Sequence, residues 1–132
     1  MMLVDQTADI AIKIKNIPMP PSINRAYRGG GNRRFLTRES VQWYKMFVEE
    51  MKLNRVHKLS KTHLIIGAEF YFKYPKKCDT LNYTKLLWDG LKKADIIYDD
   101  NQFYWDVCSK NKVEEGKDPY VNITIMSIGI NL

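Results

Sequence analysis

CDTLNYTKLLWDGLKKADIIYDDNQF, residues 78–103, is the stretch that orders the rest of the chain, because it reads as a helix followed by an acidic turn. The hydroxyl of Thr80 is placed to cap the helix, and Asp79 stands beside the positive end of its dipole. Tyr83, Leu87, Leu91 and Ala94 recur at helical spacing, which predicts an apolar stripe and a helix ending at about Ala94. Lys85 and Asp89 share another face at i and i+4. The helix therefore has a buried side and a polar edge. Beyond it, Ile96, Ile97 and Tyr98 lead into Asp99-Asp100-Asn101-Gln102, a turn too acidic to be buried without a partner. A cation or a base is the partner it calls for.

Working outward, Phe103, Trp105 and Val107 alternate with Tyr104, Asp106 and Cys108, and Tyr120–Ile128 is a second β-branched, alternating run. Lys110–Asp118 between them has the composition of a solvated hairpin loop. On the other side of the helix, Leu64, Ile66, Ala68, Phe70 and Phe72 alternate with Ile65, Gly67, Glu69 and Tyr71, predicting a strand over His63–Lys73. A further strand over Ile10–Ile17 stops at Pro18-Met19-Pro20-Pro21, where amides are missing and φ is fixed. Thr37 reads as an N-cap with Glu39 in the first turn. Val41, Tyr44, Phe47, Val48 and Met51 then carry a helix to about Leu53. The order β, α, β, α, β, β without an internal repeat predicts an α+β fold: a small mixed sheet with two helices on one face.

A chain of 132 residues supports one domain, residues 1–132, with a single core. No stretch reaches the roughly 18 apolar residues of a membrane span, and the N-terminal MMLVDQTADI lacks a basic start and a long apolar run, so no membrane partner and a cytoplasmic location are expected. Cys78 and Cys108 have neither CxxC nor Cys/His spacing, which leaves two reduced thiols near the core. The net charge of +6 favours an anionic partner. That charge concentrates between Arg25 and Arg38, which hold five arginines and no acid, with Tyr27 and Phe35 interleaved and Gly29-Gly30-Gly31 in the middle. Two readings of this segment stay open: a solvated loop, or a surface for phosphate contact with base or sugar stacking.

Three pieces in this order, Pro20-Pro21-Ser22-Ile23-Asn24-Arg25-Ala26-Tyr27-Arg28, Asp79–Leu91 and Asp99-Asp100-Asn101-Gln102, resemble the RusA family of Holliday junction resolvases, of the kind carried by phages and prophages. The family pattern D-x-D-N-x-x-K, then a D-A-L-like step, then D-D-x-Q, is matched by Asp79, Asn82, Lys85, Asp89-Gly90-Leu91, Asp99, Asp100 and Gln102. Leu81 stands where the family has its second aspartate. The resemblance implies a two-fold homodimer that binds four-way DNA junctions and cuts them with magnesium, or with manganese in its place.

On that footing Asp79, Asp99 and Asp100 are the implied metal ligands, and Asp79, Lys85 and Asp100 the catalytic set. Asn24, Arg25, Tyr27, Arg28, Arg33 and Arg34 are the implied DNA contacts. The chemistry is consistent: carboxylate oxygens suit magnesium, a hard cation activates water for phosphodiester hydrolysis, and a protonated lysine stabilises developing negative charge. Because Leu81 removes one ligand, the alternative is a cleavage-deficient protein that still binds branched DNA. Each residue also has a plainer reading, with Asp79 serving the helix end, Lys85 pairing with Asp89, and Asp99-Asp100 forming a turn. Phe70, Phe72, Tyr104 and Trp105 are the strand residues expected at the dimer interface.

Overall fold

The structure, a computed structural model, describes residues 2–30 and 34–128. Five strands, β1 (Leu3–Thr7), β2 (Ala11–Pro18), β5 (Leu64–Phe72), β6 (Phe103–Lys112) and β7 (Tyr120–Ser127), form one mixed sheet in the order β1-β2-β7-β5-β6. Only β5 and β6 run parallel. The alternation seen in sequence becomes rows across the sheet: Ile12 pairs with Ile125 and Ile125 with Ile66, while Ile14 pairs with Ile123 and Ile123 with Ala68. All six side chains are buried, with Phe70, Phe72 and Val121 extending the same face.

Two helices cover that face, as the α+β reading expects. Helix α2 (Arg38–Leu53) starts where Thr37 Oγ1 accepts the Ser40 amide at 3.4 Å, and it buries Trp43, Tyr44, Phe47 and Met51. Helix α3 (Leu81–Lys93) buries Leu86, Leu87, Trp88 and Leu91. The two meet at Gly90. A Cβ there would lie 2.8 Å from the Trp43 ring, which is stacked on Phe47 at 5.2 Å and tied by its indole N–H to the Pro18 carbonyl at 2.8 Å. No side chain larger than hydrogen fits without moving that ring.

Several expectations are corrected. Strand β1 was not anticipated: LVDQT is short and carries Asp5 and Gln6, so its sequence has little apolar signal, and it forms by pairing with β2 at the sheet edge. The basic segment is not one loose loop. It holds a short helix α1 (Ile23–Ala26) and a two-stranded hairpin of β3 (Tyr27–Arg28) with β4 (Phe35–Leu36). Residues 110–118 do not close a hairpin, because β5 lies between β6 and β7 and the connection crosses over it. Phe70 and Phe72 lie in the core, 0% and 3% exposed, facing the helices, so they are not available to a partner subunit. Tyr104 and Trp105 are exposed on the free edge strand β6.

Candidate active site

Helix α3 positions the acids and lysines. Thr80 does not cap it, since its backbone is already helical (φ −58°, ψ −32°) and its hydroxyl makes no capping bond. The role passes to Asp79, whose Oδ1 accepts the Leu81 amide at 3.0 Å and so satisfies one of the open donors of the first turn. Its second oxygen remains available. Leu81 projects into solvent, 72% exposed.

At the other end of α3 a network of charges forms around Asp89. Its carboxylate takes Lys92 Nζ at 3.3 Å on one oxygen and faces Lys85 Nζ at 3.7 Å on the other. Partial burial works to lower the pKa of Lys92, but the hydrogen bond and charge of Asp89, with Asp100 and Asp99 beyond, outweigh it and hold the ammonium above its usual range. The carboxyl groups of Asp99 and Asp100 neighbour one another, so that a proton on Asp100 can be donated toward Asp99. That interaction, with the Asn101 amide, holds Asp99 low; the same interaction, with desolvation and the charges of Asp99 and Asp89, holds Asp100 high. Two carboxylates this close titrate as a unit and favour either one shared proton or one shared cation.

Gln102 fixes that pair in place. The side chain is buried, its Oε1 accepting the amides of Tyr98 at 2.6 Å and Asp99 at 3.0 Å, while its Nε2 donates to the carbonyls of Leu59 at 3.0 Å and Lys61 at 2.8 Å. All four of its hydrogen bonds therefore go to backbone. They lock the acidic turn to the segment between α2 and β5. The Asp99 side chain adds a bond from the Asn101 amide at 3.3 Å, completing a reciprocal cap.

The structure thus brings Asp89, Asp99, Asp100 and Lys92 together, with Lys85 on the same edge of α3. Asp79 stands two residues before the first residue of α3 and is tied to it by the Leu81 amide. Among the described residues, no three His, Cys, Asp or Glu side chains converge closely enough to cage a metal ion. Magnesium needs no such cage. It is usually held by one or two carboxylates, with water and substrate phosphate oxygens completing its octahedron, and the Asp99-Asp100 pair has that donor chemistry.

The expected DNA contacts fall on α1 and the hairpin. Asn24 is exposed on α1, and Arg25 beside it is paired with Glu39, one guanidinium nitrogen lying 3.2 Å from each carboxylate oxygen. With both side chains over half exposed, that pair holds Arg25 only weakly. Arg28 is exposed; Arg34 lies 5.5 Å over the Tyr27 ring, so one face of that aromatic is already covered. Arg33 lies outside the described residues. Thr37 and Ser40 hydroxyls both bond the Ala26 carbonyl, at 3.3 and 2.9 Å, which anchors α1 and the hairpin to the start of α2.

Two features were missed by sequence reasoning. One is the structural use of Gln102, for which the only signal was its place after the paired acids. The other is a cleft of about 460 Å³ beside Asp79, between the Pro18–Pro21 segment, Arg25, Tyr74, Lys77, Cys78 and Tyr83. Burial, then the charge interaction and hydrogen bonding with Cys78, raises the Tyr83 hydroxyl pKa there, with Arg25 acting in the opposite sense.

Among the described residues no helix is long and apolar enough to cross a membrane. Comparison with known proteins agrees with this geometry. Residues 18–126 match the profile of the family described as "Endodeoxyribonuclease RusA". The chain is also 24% identical over 116 residues to a protein of Aquifex aeolicus (strain VF5) named "Crossover junction endodeoxyribonuclease RusA", covering 88% of this chain and 90% of that one. The match spans α1, both long helices, the acidic turn and most of the sheet, and on it the chain belongs to the RusA family of endodeoxyribonucleases.

Proposed function

We propose that this protein is a cytoplasmic, magnesium-dependent endodeoxyribonuclease that resolves four-way DNA junctions by paired phosphodiester hydrolysis, manganese substituting for magnesium. The observation that carries the reading is the acidic turn: two neighbouring carboxyl groups on a turn whose backbone is held by a buried glutamine, next to Asp89 flanked by two lysines. A structural turn does not need paired acids fixed against one another. A phosphodiesterase site does, because like charges pre-set at short range favour a hard cation.

In this reading Asp79, Asp99 and Asp100 would hold the magnesium, which when bound would activate water and offset negative charge on the phosphate. Asp89 keeps Lys85 and Lys92 at the edge of the site, so that an ammonium faces the developing negative charge. Gln102 supplies rigidity. Asp79 acts from the start of α3 with the oxygen not used by the Leu81 amide. The arginines of α1 and the hairpin contact the backbone of the arms, and the protein acts as a homodimer. The open face of the sheet supports that assembly: Trp105, Ile65 and Met126 form one cross-strand row on the side away from the helices, with Val107 beside Trp105 on the free edge strand. Trp105, Val107 and Met126 are 60%, 65% and 47% exposed. A two-fold dimer that covers them presents two sites to a junction of matching symmetry. Light scattering should then give twice the chain mass.

A second reading, a branched-DNA binding protein that does not cut, is favoured by Leu81, an exposed apolar residue where the family pattern has a carboxylate. Incubation with a synthetic four-way junction separates the two. Symmetric nicks in magnesium or manganese support the nuclease, and a bound but intact junction supports the binder.

A further inference from the structure

We infer that the cleft beside Asp79 accepts one unstacked nucleotide of the DNA, its base against Tyr74 and the proline wall and its phosphates on Lys76 and Lys77. The inference rests on the proposed junction-binding function and goes beyond it by assigning a site that reads a base.

The cleft has the size and lining for a base. Its volume of about 460 Å³ lies within the range of small-ligand sites, and much of its wall is apolar: Pro20, Pro21, Phe72 and the rings of Tyr74 and Tyr83. Tyr74 is 68% exposed although aromatic, which leaves the ring face not covered by Lys77 free to stack. It also lines a second hollow of about 460 Å³, together with Lys73, Pro75, Lys76, Lys77 and Lys112. Among the described residues none of these four lysines forms an ion pair with an acid, and Lys77 Nζ sits 5.5 Å over the Tyr74 ring. Glu39 and Asp118 also line the cleft, but Glu39 is engaged by Arg25.

An exposed aromatic flanked by unpaired cations is the arrangement by which proteins hold single nucleotides, the ring taking the base and the cations the backbone. Position argues the same. Lys77 and Cys78 lead directly into Asp79, and Tyr83 is on the first turn of α3, so the occupant would lie next to the residue at the start of that helix. A base is free to leave the stack at the exchange point of a junction, where stacking is already interrupted.

The test measures binding in EDTA, so that cutting plays no part. Four-way junctions carrying a single abasic nucleotide, scanned across the positions flanking the exchange point, are titrated with wild type, Tyr74→Ala and Tyr74→Phe. At one position the missing base should weaken wild-type binding roughly tenfold, the effect of losing one base–aromatic stack, and should cost Tyr74→Ala nothing further. Tyr74→Phe should behave as wild type. If every abasic position weakens wild type and Tyr74→Ala by the same factor, the cleft does not hold a base. A wild-type protein that cuts junctions yet shows no Tyr74-dependent position overturns this inference alone. One that binds no junction at all overturns both this inference and the proposed function.

Discussion

Replacing Gly90 by alanine tests how α3 is held, and so how the acids on its edge are placed. On an isolated helix the change would stabilise by about 1 kcal/mol through backbone entropy. Here the new Cβ would meet Trp43 Cζ3 at 2.8 Å and Cη2 at 3.1 Å, against an optimum of about 3.5–4.0 Å between carbons. The ring has little freedom to retreat, since it is buried, stacked on Phe47 and bonded to the Pro18 carbonyl. Overpacking of a held core ring costs about 3 kcal/mol, at the upper end for such changes, so the net effect is a loss of about 2 kcal/mol. For a domain of this size that lowers Tm by roughly 6–10 °C in thermal unfolding followed by circular dichroism. Trp43→Leu should relieve the clash, so that the double variant is about 3 kcal/mol more stable than the two single losses added together. A Gly90→Ala protein as stable as wild type, or strictly additive effects, would refute the contact as the reason for glycine.

Three further changes address the site. Gln102→Leu leaves two amides and two carbonyls without their partner, and should cost about 3 kcal/mol of stability and loosen the acidic turn, seen as faster hydrogen exchange at Tyr98 and Asp99. Leu81→Asp adds a carboxylate near Asp79 and should raise cleavage at limiting magnesium; an unchanged rate and metal affinity would mean that this position is not a ligand. Lys76→Ala combined with Lys77→Ala should lower the slope of log affinity against log salt by about 2, one unit for each lost phosphate contact, with no change in the metal concentration needed for cutting.

The sheet was legible because its strands alternate cleanly: every inward residue read from Leu64 to Phe72 is buried. Helix α2 was legible from Thr37 and its apolar spacing. Strand β1 was not, because a five-residue edge strand with two polar residues gains its structure from β2 rather than from its own pattern. Phe70 and Phe72 illustrate another limit. Alternation says that two strand faces differ, but which face the helices cover is decided by all five strands together. The acids along residues 79–100 were found as residues but not as a geometry. Spacing along a helix fixes Lys85 beside Asp89, whereas the approach of Asp99 and Asp100 to Lys92 depends on the turn that Gln102 ties down. The cleft at Tyr74 is formed by segments distant in sequence, so no local motif announces it.

The most direct test of the nuclease reading is single-turnover cleavage of a synthetic four-way junction by wild type and Asp100→Asn, in magnesium and in manganese, with linear duplex as control. Wild type should place symmetric nicks in opposing strands of the junction and leave the duplex intact. Asp100→Asn should bind the junction with wild-type affinity and cut at least a hundredfold more slowly, as expected when a ligand to the activating cation is lost. Asp100→Asn that cuts at the wild-type rate, or wild type that binds the junction and cuts it with neither metal, would contradict the account.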